Sequence, residues 1–528
     1  VSVSSETASS PDSGGAPAAM GRRQVLEALS GLMMGMFVAI LASTVVANAL
    51  PRIISELGGS QASYTWVVTT ELLAMTATVP LWGKLSDLYN KKLLIQLSLG
   101  LFVVGSLVAG FAGDIGVLIA SRVAQGVGAG GLTALAQVIM AAIVSPRELG
   151  KYSGLFGGIF AVGTVAGPLI GGLLVDTSWL GWRWCFFLGV PLAIAAIVLL
   201  QRTLNLPTVR RDVHVDYLGA FLIMAGVSTL LVWSSLAGHQ FAWGSWWTAG
   251  LVSTGLIVLA LAIFVESRVR EPVLPLGIFR NRTITLTTIA SFLVGTAMFG
   301  GTVFLSQYFQ LSLGKTPTVA GLMSLPMILG LLASSTISGQ LISRTGVWRA
   351  HLLLGGVLMV VGLGLLGTID AHTNVLLLSG YMVVLGIGIG LLMQNLVLVA
   401  QNDVPARDLG AATSVLSFFR SLGASIGVSA LGAVLANRVT ELTVAGLGPA
   451  AAAGSGGSAQ EVPNLAALPE PVVNVIREAY GTATSDLFLI SAPIAVLVVV
   501  VIAFVKQIPL KTQSGTERLA EEGVTLAH

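Results

Sequence analysis

Of the 528 residues, 54% are hydrophobic and only 10% are charged, against about 25% charged in an ordinary soluble domain. A mean hydropathy of +0.88 and repeated apolar runs of about 20 residues, each enough to cross roughly 30 Å of hydrocarbon, exclude a water-soluble globule. They equally exclude a membrane barrel, whose segments are shorter and alternate. The class is an all-α, multi-pass membrane protein, and a formal charge of +3 gives no footprint for nucleic acid.

Residues 1–24, opening "VSVSSETASSPDSGGAPAAM", are rich in Ser, Ala, Gly and Pro and are expected to be a disordered N-terminus. They lack the basic start and short apolar core of a secretory signal, so the first apolar segment is expected to be a retained span. Punctuation by turns and charges predicts spans near 27–50, 64–83, 93–113, 116–144, 152–175 and 187–204, forming a first unit over 25–204. A pair follows near 217–237 and 247–266, within an insertion over 205–282. Six more lie near 283–308, 317–338, 350–370, 374–400, 409–436 and 484–506, in a second unit over 283–506, followed by a tail over 507–528.

Fourteen spans put both termini on one side. Twenty lysines and arginines fall on that side against five on the other, which predicts cytoplasmic termini. The loop "GKLSDLYNKK" (83–92) is echoed by "GQLISRTGVWR" (339–349), and "SPRELGKYSG" (145–154) by "VPARDLGAATS" (404–414). The matching offsets imply two copies of one six-helix unit, an arrangement that places a substrate site between the halves near the midplane. The connection over 438–483 reads as a long external loop, with "PVVNVIREAY" a short amphipathic helix inside it.

Chemistry is sparse. The single cysteine, Cys185, excludes an intrachain disulfide or a cysteine cluster. The five histidines fall in or beside predicted loops or in the tail, so no metal site is expected. No GxxxxGK[ST] run marks a nucleotide pump, and no catalytic constellation or cofactor motif marks an enzyme. Within the spans stand Glu71 and Arg122, at similar depth, roughly 10 Å below the outer surface at about 1.5 Å per residue, with Gln125 one turn from Arg122 on the same face. A charge in a span costs at least ~2.5 kcal/mol on insertion scales, so it faces a partner or a cavity.

Other polar candidates for a cavity wall are Asn48, Trp66, Gln137, Gln394 and Asn395, though most amides in spans simply bond between helices. Arg420 lies in the thirteenth span with no deep acid in its half, leaving backbone carbonyls or an anionic group as its partner. Asp87, at the end of the second span, is placed to meet the positive N-terminus of the thirteenth, near Leu409, closing the cytoplasmic side. Arg147 belongs either to that gate or, like Lys91 and Lys92, to topology. Gly163, Gly167 and Gly171 share one helix face and permit close packing; Pro168 favours a bend there.

These stretches resemble a known family. "GKLSDLYNKK" is similar to the loop signature of the major facilitator superfamily, with Asn90 where glycine is usual, and "SRVAQGVGAGG" (121–131) to its helix 4 motif. "GTVAGPLIGG" (163–172), including Gly172, resembles the antiporter motif. "TVVANALP" (44–51) and "WRWCFFLGVP" (182–191) resemble the fourteen-helix drug:proton antiporter branch.

The resemblance implies a monomeric exporter that needs no cofactor. It would use the proton gradient to expel hydrophobic or cationic amphipathic small molecules from the bilayer by alternating access, and the antiporter motif would restrict leak. The branch usually carries an aspartate in helix 1 where this chain has Ala42. Three roles then stand for Glu71: a structural partner of Arg122 or a carboxyl reaching the outer interface, the proton carrier in place of the missing acid, or a direct contact for a cationic substrate. An exporter of an endogenous lipid, siderophore or antibiotic, and a non-transporting receptor or scaffold, are the alternative functions.

Overall fold

The computed structural model describes residues 22–58, 61–177, 180–204, 208–209, 216–237, 241–269, 272–448, 469–521 and 526–527. Residues 1–21, most of the expected disordered N-terminus, and the "AAAGSGGSAQ" stretch lie outside them. The chain is helical, and every segment read as a span falls on helix. In chain order these are α1 (Arg22–Glu56), α2 (Gln61–Leu88), α3 (Lys91–Gly110), α4 (Ile115–Ile143), α5 (Pro146–Asp176), the short α6 (Trp184–Phe187), α7 (Gly189–Thr203), α8 (Tyr217–Leu236) and α9 (Trp246–Glu266). They continue as α10 (Arg282–Gln307), α11 (Pro317–Met323), α12 (Leu325–Thr345), α13 (Arg349–Leu366), α14 (Val375–Asn402), α15 (Leu409–Leu447), α16 (Glu470–Ala503) and the tail helix α17 (Gly515–Glu521). A two-residue antiparallel ladder, Thr208–Val209 with Leu526–Ala527, ties the α7–α8 linker to the end of the chain.

Among the described residues, eleven helical stretches are long and apolar enough to cross a membrane. α2, α5 and α8 are not among them: α8 offers only Leu218–Ser234 as an apolar stretch, and α2 carries Glu71, Lys84 and Asp87 within its 28 residues. Short polar side chains start many of the helices by satisfying otherwise orphaned N–H groups. Asn90, the departure from glycine in the loop signature, is one of them: its side chain accepts from the N–H groups of Lys92 and Leu93 at the head of α3. Asp114, Ser245, Asn281 and Asn374 do the same for α4, α9, α10 and α14. Gly346, with φ at 73°, ends α12 in the left-handed conformation that glycine adopts without strain.

Packing repeats along the chain. In the first unit α1 packs on α4, α5 and α7, α2 on α4, and α3 on α4 and α7. The same pairings recur as α10 with α14, α15 and α16, α12 with α14, and α13 with α14 and α16. The units meet through α2 with α15 and α5 with α12, and α8 and α9 pack on each other with α8 against α2 and α15.

One expectation is corrected. The expected loop over 438–483 is helix at both of its ends, because α15 continues to Leu447 and α16 begins at Glu470, and "PVVNVIREAY", expected as a short separate helix, forms the first turns of α16; residues 449–468 lie outside the described residues. The extensions hold each other: Arg438 donates to Asp486 at 2.7 Å and to Glu441 at 2.8 Å. Leu431, Leu435, Ala483 and Leu487 form a small buried cluster below them, and the Ser312 hydroxyl donates to the Arg477 carbonyl at 2.9 Å. These contacts between α15, α16 and the segment after α10 support helix beyond the apolar run that the sequence shows.

The glycines of "SRVAQGVGAGG" explain how α4 packs closely on two neighbours, α2 and α3, at once. A Cβ on Gly130 would stand 2.7 Å from the Met75 carbonyl oxygen of α2, and one on Gly128 2.7 Å from the Ser98 carbonyl oxygen of α3. Backbone, unlike a flexible side chain, cannot step aside. Gly130→Val should therefore destabilise the fold by about 1–3 kcal/mol, the usual scale of overpacking, read as a lowered thermal unfolding midpoint. Gly100→Val, at a position with nothing within 4 Å, should leave it unchanged.

Candidate functional site

α2 and α4 bring Glu71 and Arg122 into a direct ion pair, with both side chains nearly sealed at 4% and 3% exposure. The other two guanidinium nitrogens are also engaged: Nη1 donates to Gln125 Oε1 at 2.9 Å and Nε to the Val67 carbonyl at 3.3 Å. Gln125 Nε2 in turn donates to Ser106 Oγ on α3 at 2.8 Å. Gly126 makes the pair possible, since a Cβ there would strike the Glu71 backbone carbonyl. The result is a closed polar chain across three helices, in which each charge offsets the cost of burying the other. A cavity wall was expected around Gln125; the structure buries it completely.

Ala42 is remote from this chain in character. It is 5% exposed within an apolar cluster that includes Phe102 and Leu99, and it faces Gly189. The place of the branch's usual acid is thus filled by packing.

At the end of the molecule bearing the loop signature, the two units are held together. Asp87 accepts from the N–H groups of Gly410 at 3.0 Å and Ala411 at 2.9 Å, the first turn of α15, where helix-dipole and hydrogen-bond terms both favour an anion. Gly83 and Gly410 bring the two backbones close enough for this. Arg147 Nε donates to the Ser343 carbonyl at 3.1 Å, in the last turn of α12. Deeper in, Ser417 Oγ of α15 donates to Gln137 Oε1 of α4 at 3.1 Å, so Gln137 links the units.

The tail completes this closure, and nothing in its sequence announced it. Arg518, 6% exposed, donates to the Gln401 carbonyl at 3.3 Å and also to the Val404 carbonyl. Thr516 donates to the Ala142 carbonyl of α4 at 3.2 Å. Asn402 donates to the Pro509 carbonyl at 3.0 Å and accepts from the Lys511 N–H at 2.8 Å. One short segment thereby holds α4 and α14 together.

The remaining candidates disperse. Asn395 is buried and donates to Ser338 Oγ at 3.3 Å and to the Leu391 carbonyl at 2.7 Å, so it fastens α14 to α12. Gln394, Trp66 and Arg420 are partly accessible. Gly163 and Gly167 pack α5 against Ile40 and Thr44 of α1, and Thr44 Oγ1 donates to the Gly163 carbonyl at 3.1 Å; Gly171 is buried on the same helix. Asn48, Pro168 and Gly172 lie on α1 and α5, but their side-chain surroundings fall outside the described residues. Trp182 of "WRWCFFLGVP" donates to Glu56 Oε2 at 2.9 Å, a packing role at the other end of α1.

The sequence model of the Major Facilitator Superfamily matches residues 32–428. The chain belongs to that superfamily. It is 36% identical over 93% of its length to an uncharacterised MFS-type transporter of Mycobacterium tuberculosis, covering 70% of that protein. It is 34% identical to the multidrug transporter protein MdtP of Bacillus subtilis, over 77% of this chain and 74% of that one. The fold is similar to that of the proton:xylose symporter XylE, with a TM-score of 0.62 and 12% identity, covering 95% of this chain and 100% of that one. The protein is a membrane transporter, not an enzyme.

Two outcomes test the geometry. Glu71→Gln or Arg122→Gln alone strands a buried charge or breaks its network and should cost about 3–5 kcal/mol. The double variant should recover part of that loss, read from thermal unfolding midpoints of the purified proteins. For the closure, a thiol at Ser414 in a Cys185→Ser background should react slowly with a small thiol reagent, because Ser414 is buried against Gly83. Asp87→Asn or Arg518→Ala should speed that labelling several-fold, and unchanged rates would show that the contacts do not hold the ends shut.

Proposed function

We propose that the protein is a proton-coupled multidrug efflux antiporter, exporting hydrophobic or cationic amphipathic compounds by alternating access. It works as a monomer in a bacterial-type inner membrane, with both termini cytoplasmic. In this reading residues 25–204 and 283–506 are two pseudo-symmetric six-helix bundles, α8 and α9 are an inserted pair, and the spans number fourteen. The repeated pairings of α1–α7 and α10–α16 support that division. The end bearing Asp87, Arg147 and Arg518 is the cytoplasmic side, closed in this state.

The observation that carries the reading is the Glu71–Arg122 pair in the middle of otherwise apolar packing. A carboxylate that holds its arginine only while ionised is a proton switch: protonation removes the charge that Arg122 answers, and the freed guanidinium must find another partner. Glu71 so takes over the task of the acid absent at Ala42. A proton entering from outside loosens α2 from α4 and favours release of cargo outward; loss of that proton to the cytoplasm restores the pair. The names of the multidrug transporter protein MdtP and of the efflux pump dotC of Dothistroma septosporum, the latter 32% identical over 94% of this chain and 85% of that one, support efflux as the direction.

A second reading of the cargo rests on Arg420. Glu71 is neutralised by Arg122, whereas among the described residues no carboxylate pairs with Arg420, midway along α15. A partly accessible, unanswered cation favours a substrate carrying an acidic group.

Reconstitution into vesicles with an imposed pH gradient tests both. Wild type should move substrate against the proton flux, and Glu71→Gln should abolish gradient-driven flux while leaving downhill exchange. Drive that survives intact in Glu71→Gln rejects the coupling role. Arg420→Gln should lower transport of acidic compounds at least tenfold under the second reading and spare cationic dyes, whereas an equal effect on both classes rejects it.

A further inference from the structure

A pair of acids lies apart from Glu71 and Arg122, at the foot of the α8–α9 hairpin. Asp216 precedes α8, and its Oδ1 accepts the Gly219 N–H at 2.8 Å. Glu266 ends α9, is 3% exposed, and its Oε2 accepts the Leu274 N–H at 3.0 Å. Each carboxylate thus commits one oxygen to a backbone donor. The other two oxygens, Asp216 Oδ2 and Glu266 Oε1, are sealed from solvent and have no hydrogen-bond partner among the described residues. They also converge, because a Cβ on Gly219 would strike both at once.

Two ionised carboxylates cannot rest in that arrangement. Both facing oxygens are acceptors only, so nothing bridges them and their charges repel. One proton resolves the conflict: the protonated acid becomes a donor, its partner the acceptor, and both orphaned atoms are satisfied. A metal ion fits less well, since the remaining carboxylate oxygens already face N–H donors. Among the described residues no group of three acids, histidines or cysteines gathers here.

Among the described residues, the charged groups acting on Glu266 are Asp216 and Lys84 of α2, the latter only 7% exposed. Arg268, two residues beyond Glu266, stacks on the Phe264 ring at 4.3 Å instead. With Lys84 positive and one proton on the acids, the three groups sum to zero charge; without that proton they carry a net negative charge. Lys84 stands one turn from Asp87 on α2, the helix end that caps α15.

We propose that Asp216 and Glu266 share one proton, forming a proton-binding site on the α8–α9 hairpin that is linked through Lys84 to the α2 end holding Asp87. The site is distinct from Glu71 and needs no cargo to fill it. Because the folded hairpin binds a proton that the separated acids release at neutral pH, stability falls as pH rises.

The test is thermal unfolding of the purified full-length protein across neutral to alkaline pH. The wild-type midpoint should drop by several degrees toward alkaline pH. Glu266→Gln and Asp216→Asn each supply a fixed amide donor where the proton sits, so either should flatten that drop and lie above wild type at the alkaline end. Curves that superimpose on wild type overturn the proposal. So does a wild-type alkaline midpoint restored by sodium chloride but not by choline chloride, which would mark a bound cation. If both variants fail to fold, infrared titration of the wild type decides: a protonated-carboxyl band persisting above the ordinary carboxyl range supports the site, and its absence overturns it. No transport is measured, so this outcome is separate from that of the efflux reading.

Discussion

A charge placed inside apolar helix packing has to be answered by another helix, and this constraint organises the molecule. Glu71 on α2 is answered by Arg122 on α4, and Arg122 by Gln125, whose amide reaches Ser106 on α3. Three helices are thereby fixed in rotation about their own axes, because each polar side chain points along one direction only. Apolar packing alone tolerates a range of rotations. A buried ion pair adds little net stability against a hydrophobic isostere, yet breaking it is expensive; its contribution here is to specify one arrangement of the three helices.

Small residues are the other half of that design. The polar chain forms only because Gly105, Gly126 and Gly130 let backbones approach within side-chain length, and the same device recurs where Gly295 and Gly423 seat α10 against α15. In lipid no hydrophobic force drives helices together, so close van der Waals contact and interhelical hydrogen bonds do it instead. The glycines of the antiporter motif follow this rule at the α1–α5 contact, where the Thr44 hydroxyl fills the gap left by missing side chains.

How much of this could be read in the sequence depends on the range of the interaction. Spans were legible because twenty apolar residues are a local signal, and the depth match of Glu71 and Arg122 followed from counting along two helices of known direction. Asp87 meeting the start of α15 was legible because a carboxylate at one helix end and a helix N-terminus in the other repeat are complementary by type. The extent of α15 and α16 was not, since "NRVTELTVAGL" is polar enough to read as loop and "PVVNVIREAY" reads as a short helix apart from the last span. Long-range contacts such as Arg438–Asp486, across 48 residues, support the extended helices. Arg518 was illegible for the same reason: a lone arginine in a polar tail gives no hint that two carbonyls at the end of α14 await it. Glu266 passed unnoticed at a span boundary, where an acid is ordinary unless its second oxygen is known to lack a donor.

The contacts at the Asp87 end differ in kind from the pair in the interior, and the difference fits their separate tasks. Asp87 binds the N–H groups that begin α15; Arg147, Thr516 and Arg518 bind carbonyls that end α12, α4 and α14. Each is a side chain matched to the partial charge of a helix terminus, acid to the positive end and donors to the negative. When such contacts part, both sides can turn to water, so opening requires no proton and leaves no buried charge behind. Glu71 and Arg122 have no such recourse, because the helices around them exclude solvent. In the proposed mechanism a conformational change that begins in the interior would wait for a proton, whereas the helix-end contacts would yield to strain carried along α2. The chemistry of the contacts supports that order: the buried pair would set when the transporter switches, and the helix ends how firmly each state is held.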